Sequence, residues 1–306
     1  MNSKNLEREV ICSKSKKEKI REKLKGMDEI LKSYESYFSK EELSELILSA
    51  CLSRDIDVDV KIEKRKVCVE IEAEKVKKWI EEKLIPNTVF LTFEDEDVIE
   101  LLLFSIEFAF AIFEGRTKAT ITQKGFRERS RELETIIINT FTGLIGEVGV
   151  KSLLERNFKI KIRLDRDIST EIEKYKSDIK NARKPVSIKT TPNLLSIWAE
   201  CPKDYAYGIF VKAIVPPAIL LRAFAHVCGF KSLIEYSKGK VSLLEMEKEE
   251  IETIISNLET RFLHKKCGNL DTHIKTFICG YFQPTEENLV KTGEKLCYIG
   301  KIREER

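Results

Sequence analysis

The sequence predicts an α/β (α+β) protein, with a mixed sheet flanked by helices after a mostly helical N-terminal region that contains a β-hairpin. Three observations predict it. Apolar residues alternate at period two around a polar turn, with Ile56, Val58, Val60 and Ile62 before Glu63 to Lys66 and Val67, Val69 and Ile71 after it. That is the signature of a hairpin. A helical pattern over 127–156 gives way to a β-rich stretch over 158–191 and an apolar strand at 207–215. A long amphipathic helix then spans about 243–262.

Residues 15–50 read as helices, one of them opened by a capping box in which Ser39 caps Lys40-Glu41-Glu42. Helices follow at about 73–84 and 97–113, the second ended by Gly115. The helix over 127–156 is expected to break near Thr142-Gly143, and Pro216-Pro217 stops the strand before it and starts a further helix toward Tyr236. These elements group as 1–125, a helical and hairpin region suited to recognition or dimer contacts; 126–240, the core; and 241–306, a helix and a cysteine-containing segment.

Composition narrows the class. The chain of 306 residues is 42% hydrophobic, enough for a real core, and 34% charged with a net charge of only +3. Most charge is therefore solvated surface of mixed sign. Lys and Glu are abundant while glutamine occurs only at Gln123 and Gln283, the balance of a hot-adapted protein or of an AT-rich genome. The first 25 residues are charged and lack the apolar run of a secretory signal. The most apolar stretch, 98–113, carries Glu100 and Glu107 and reads as a buried core helix. Eight cysteines then imply reduced thiols and a cytoplasmic protein. A nucleotide-binding lysine loop and G-x-G-x-x-G are both missing, and no cysteine has a protease signature around it.

The informative stretch runs from Ser177-Asp178-Ile179 through a polar link, Lys180 to Lys184, to Pro185-Val186-Ser187-Ile188-Lys189-Thr190-Thr191. Folded back about Ala182-Arg183, it sets Asp178 opposite Ser187. Alternation then puts Ser187, Lys189 and Thr191 on one face with Asp178, and Ile179, Val186 and Ile188 on the apolar face. A register slip would mix the two sets. A carboxylate that can help hold a metal, beside a lysine that can reach a phosphate or an attacking water, suits phosphodiester hydrolysis. Upstream, Gly143, Gly146 and Gly149 allow a helix to pack closely on a sheet, and Glu147 stands among them. It is either paired with Lys151, four residues on, or a second metal ligand.

Glu147 on a helix, Asp178, and a strand ending x-I-K-T-T resemble the PD-(D/E)XK nuclease fold of type II restriction endonucleases, over about residues 140–216. The resemblance implies a restriction-endonuclease-like αβββαβ core with a mixed sheet. It further implies Mg²⁺ held by Asp178 with help from Glu147, and Lys189 as the catalytic lysine. Ser187, Thr191, Lys124 and Arg127 are the substrate-contact candidates. The activity implied is site-specific cleavage of double-stranded DNA to 5′-phosphates by a homodimer, with a cognate DNA methyltransferase as functional partner. Junction and repair nucleases share the core, and a non-catalytic DNA-binding protein is the alternative of another class. Two positions depart from the pattern. Ser177 stands where a proline is usual, and Ser187 stands where an acid is expected two residues before the lysine, so Asp165 or Asp167 are further carboxylate candidates.

Other features have weaker chemistry. The basic stretch Arg116, Lys118, Lys124, Arg127, Arg129 and Arg131 is interleaved with glutamates and reads as a solvated helix face or a phosphate surface. Trp198 and Tyr205 read as packing residues, with base stacking as the alternative. His226 reads as buried and hydrogen-bonded. His264, Cys267, His273 and Cys279 are weighed as a zinc set against ordinary thiols, which their loose spacing favours.

Overall fold

The computed structural model describes residues 16–63, 66–92, 133–165, 177–200, 204–216, 273–284 and 289–291, with positions 98, 101, 104, 105 and 108. Lys124, Arg127 and their basic neighbours, Asp167, His226, His264, Cys267 and the helices expected after Pro216 and over 243–262 lie outside those residues.

Local chemistry sets the N-terminal elements. After helical residues 16–25 and α1 (Asp28–Ser33), α2 (Lys40–Ser53) begins on the expected capping box. The Glu42 N–H donates to Ser39 Oγ at 3.2 Å, and the Ser39 N–H donates to Glu42 Oε2 at 2.8 Å. The hairpin forms as β1 (Asp59–Glu63) and β2 (Lys66–Glu70), antiparallel, with Asp59 opposite Glu70. Helix α3 (Ala73–Trp79) runs on through a wider turn at Ile80–Leu84, within the expected bounds. The described positions among 98–108 are helical, and Val98, Leu101 and Ser105 are buried.

The core is a four-stranded mixed sheet. Its strands are β3 (Thr88–Leu91), β4 (Val186–Thr191), β6 (Tyr207–Ile214) and β7 (Ile274–Phe282), in the order β3-β7-β6-β4. β4 runs parallel to β6, while β6–β7 and β7–β3 are antiparallel. Between β4 and β6 the family order asks for a helix. The described residues there form a turn and β5 (Trp198–Glu200), which pairs with β8 (Leu289–Lys291). Pairing with a distant segment satisfies that backbone in the helix's place.

One long helix, α4 (Leu133–Phe158), covers one face. The expected break at Thr142-Gly143 is not there. Instead Thr190 Oγ1 donates to the Gly143 carbonyl at 3.1 Å, and tertiary packing carries the helix through its glycines. A Cβ on Gly146 would meet Thr190 Oγ1 at 1.9 Å, and one on Gly149 would meet Thr276 Oγ1 at 2.3 Å. Only glycine permits this approach at those two positions. α4 includes a stretch long and apolar enough to cross a bilayer, Ile136–Phe158, and over half of it is buried against the rest of the protein.

The sheet divides two cores. Val186, Ile188, Ile209 and Val211 join Ile145, Val148 and Leu153 of α4 on one side. Phe210, Phe277, Cys279 and Phe282 join Leu43, Leu46, Ile47 and Trp79 on the other. A bulge in β7 shifts the register, pairing Phe210 with Gly280 but Val211 with Ile278. The shift lets Cys279 and Phe282 share a face despite their odd separation. The second side also buries charge. Lys275 pairs with Glu42 at 2.9 Å. The Lys212 ammonium donates to Ser49 Oγ and, at 2.8 Å, to the Leu194 carbonyl, beside a cavity of about 10 Å³, room for roughly one water.

Candidate active site

α4 ends on a left-handed residue, Lys159, with φ 56°. The Ile160 N–H reaches back to the Leu154 carbonyl at 3.1 Å, and the Lys159 N–H to that of Glu155 at 3.1 Å. This closing motif turns the chain into an extended arm, 160–165. The arm lies antiparallel to 178–181, with Leu164 bridged to Ile179. The Asp165 N–H donates to the Asp178 carbonyl at 3.1 Å, and the Lys180 N–H to the Arg163 carbonyl at 2.8 Å.

On its other side the 177–179 segment closes the outer edge of β4. The Asp178 N–H donates to the Val186 carbonyl at 2.9 Å. Ser177 Oγ accepts the N–H groups of Val186 at 3.0 Å and Ile179 at 3.2 Å. A proline there could accept neither, so the first departure from the family pattern has a structural use. Asp178 Oδ2 accepts the Ile188 N–H at 2.5 Å and the Ser187 hydroxyl at 3.3 Å. Asp178 therefore stands beside Ser187, as the folded-back register expects. Ile179, Val186 and Ile188 all enter the α4-side core, the expected apolar set.

Charge at this edge is concentrated. Burial pushes the Asp178 carboxyl above the usual carboxylate range. The Ile188 N–H, the charge of Lys189 and the Ser187 hydroxyl pull it back, and the charge of Asp165 pushes it further up. Asp165 is itself paired with Lys180 at 3.3 Å. Ser187, 1% exposed, and half-buried Lys189 are on the strand face opposite Thr190, which meets α4.

The remaining candidates take these places. Glu147 is half-buried on α4, next to Gly146, and both it and Lys151 are engaged by partners in the fold. The second carboxylate acting on Asp178 is Asp165, the alternative the sequence offered. Thr191 Oγ1 accepts the Asn193 N–H at 3.1 Å and helps turn the chain out of β4. Trp198 is 46% exposed, which corrects its reading as a packing residue, whereas Tyr205 packs against the second core. His273 lies just before β7 and is exposed, while Cys279 lies within the strand and is buried. Six residues of extended chain span roughly 20 Å, so these two cannot share one zinc ion. Sequence reasoning missed Asn181, whose side chain ties the turn to the arm by accepting the Arg163 N–H at 2.8 Å and donating to the Lys161 carbonyl at 3.0 Å. An asparagine in a polar turn was the available signal.

Among the described residues no three His, Cys, Asp or Glu side chains converge as a metal cage. Asp165 lies across from Asp178 beside the Leu164–Ile179 bridge, and its charge acts on the Asp178 carboxyl. Magnesium is commonly held by one or two carboxylates with water and phosphate oxygens completing its shell. The donors fit that open kind of site and do not fit a closed one. No family model, curated protein or solved structure matches the chain.

Proposed function

We propose that this protein is a Mg²⁺-dependent nuclease of the PD-(D/E)XK type that cleaves duplex DNA at specific sites, as a type II restriction endonuclease does. One observation carries the reading. Asp178 is fixed at the outer edge of β4 by the Ile188 N–H and the Ser187 hydroxyl, with Lys189 close enough to act on its charge. A helix, an arm, a return segment, a strand and a parallel strand in that chain order support it.

In this reading Asp178 and Asp165 would hold magnesium, with Glu147 on α4 outside the pair. The ion would neutralise phosphoryl charge and lower the pKa of the attacking water. Lys189 holds a phosphate oxygen or orients the water, and the Ser187 hydroxyl keeps the Asp178 carboxylate aimed. Asp178 must be ionised to serve, so activity rises as pH climbs through its elevated pKa. A homodimer in the cytoplasm, 5′-phosphate products and a partner methyltransferase complete the proposal.

The test is cleavage of supercoiled plasmid with Mg²⁺ or EDTA. Discrete Mg²⁺-dependent bands support the restriction reading, and structure-dependent nicking supports a junction or repair nuclease on the same core. A DNA-binding protein without catalysis is favoured by one feature, the Ser187 hydroxyl where a third carboxylate would serve. Binding with no cleavage under any metal would establish that reading and sink the first.

A further inference from the structure

The arm and the turn beside Asp178 present a basic surface. Lys159, Lys161 and Arg163 are exposed, while Ile160, Ile162 and Leu164 between them pack on the α4-side core. Across the Leu164–Ile179 bridge, the turn exposes Lys180, Arg183 and Lys184. Asn181 and the Lys180 N–H bind the two tiers together through the backbone of Lys161 and Arg163. The acids within these segments, Asp165 and Asp178, are both half-buried. The whole chain has 54 cationic and 51 acidic residues, so an average patch would be mixed. Here Lys159, Lys161, Arg163 and Arg183 are exposed, Lys180 is paired with Asp165, Lys184 lies over the Tyr207 ring, and the acids turn toward the candidate site.

We infer that this two-tiered strip is the surface that grips the phosphate backbone of duplex DNA and leads it to Asp178 and Lys189. The choice of DNA as the polyanion rests on the nuclease reading. Geometry supports a long polyanion over a small one. Residues two apart on an extended chain are about 6.6 Å apart, so the cations form a spaced row. Duplex DNA carries one negative charge per roughly 1.7 Å of axis and offers a phosphate to each cation in turn. The strip holds lysine and arginine, and its exposed amide, Asn181, is engaged by the Arg163 N–H and the Lys161 carbonyl, so the grip is independent of sequence and strongly dependent on salt.

The experiment is binding of a labelled duplex in EDTA over a series of salt concentrations. It compares the wild type, the triple variant Lys161→Gln/Arg163→Gln/Arg183→Gln, and the charge-keeping set Lys161→Arg/Arg163→Lys/Arg183→Lys. The neutralised variant should bind about tenfold or more weakly, with a log–log salt slope shallower by about one per lost contact. The charge-keeping set should stay near wild type, which separates charge from folding. Equal affinity and slope in all three, no duplex binding by the wild type, or tighter binding to anionic lipid vesicles than to duplex overturns the inference. Cleavage separates this result from the nuclease reading. A wild type that binds through the strip but never cuts loses the reading and keeps the strip. A neutralised variant that binds and cuts like wild type loses the strip and keeps the reading.

Discussion

The two faces of the four-stranded sheet meet their neighbours in opposite ways. Toward α4 the contact is dry and close, with Gly146 on Thr190, Gly149 on Thr276, and Ile and Val elsewhere. The other face holds Ser187, Lys189, Lys212 and Lys275 among its aromatic residues. The first face is defined by shape and tolerates no added atom at Gly146 or Gly149. The second keeps polar groups that must each find a partner, and at its β4 edge those groups include Asp178 and Lys189. The candidate site is thus placed where packing demand is lower.

The largest expected effect tests the polar edge. Asp178→Asn and Lys189→Ala should each lower Mg²⁺-dependent cleavage by about 10²–10³-fold or more while leaving thermal unfolding close to wild type. Wild-type cleavage by either variant would show that the edge is not the active site.

Next comes the dry face. Gly146→Ala should destabilise by about 1–3 kcal/mol, because its Cβ meets a stiff threonine side chain and overpacking outweighs the gain in helix propensity. Gly143→Ala should instead stabilise by up to about 1 kcal/mol, since nothing lies within 4 Å of its Cβ. Denaturant titration of both checks the contrast, and equal effects at the two glycines would break it.

Lys212 tests whether the polar face is structural away from its edge. Among the described residues its ammonium bonds only neutral acceptors, and burial lowers its pKa from 10.5. Replacing a buried cation by an apolar residue of similar length is often neutral or stabilising, so Lys212→Met should change stability by between zero and about +3 kcal/mol. A loss comparable to that of Gly146→Ala would show that the ammonium bonds hold the α2 side in place.

The smallest effects are in the pH dependence of stability, with opposite signs. The Asp178 pKa is raised above 3.8 in the folded state, so the folded protein holds that proton more tightly. Its contribution is present below 3.8 and is lost as pH rises through the folded pKa. The Lys212 pKa is lowered below 10.5, so its contribution is present above 10.5 and is lost as pH falls through the folded pKa. Urea melts across pH should show Asp178→Asn flattening the acid side and Lys212→Met the alkaline side. Identical profiles for both variants and the wild type would contradict the burial of these groups.

Much of the site was legible because its signals are local. The Ser39 capping box, the β1–β2 hairpin and the bounds of β6 follow from spacing alone. The sorting of Ile179, Val186 and Ile188 from Asp178 and Ser187 follows from period two. The glycines of α4 announced close packing, but which residue they approach was not readable. The partner of Gly146 is Thr190, and that of Gly149 is Thr276, on a strand more than a hundred residues downstream. The continuity of α4 was misread for the same reason, since the Thr190 bond to Gly143 comes from another element. Asp165 could be named as a candidate, but its approach to Asp178 depends on an arm whose pairing is set by Asn181 and the Lys180 N–H.

By itself the sequence determined the period of each segment, and hence which residues share a face, where the caps fall, and that Asp178 and Lys189 belong to one edge. Those properties depend on neighbours a few residues apart, and backbone geometry fixes them. Only the tertiary structure decided that β7 would lie between β3 and β6, that the β4–β6 connection would pair with β8, and that Lys212 would be buried against Ser49. Each depends on long-range contacts whose gain must exceed the entropy of closing a long loop, and no local pattern records which closure wins.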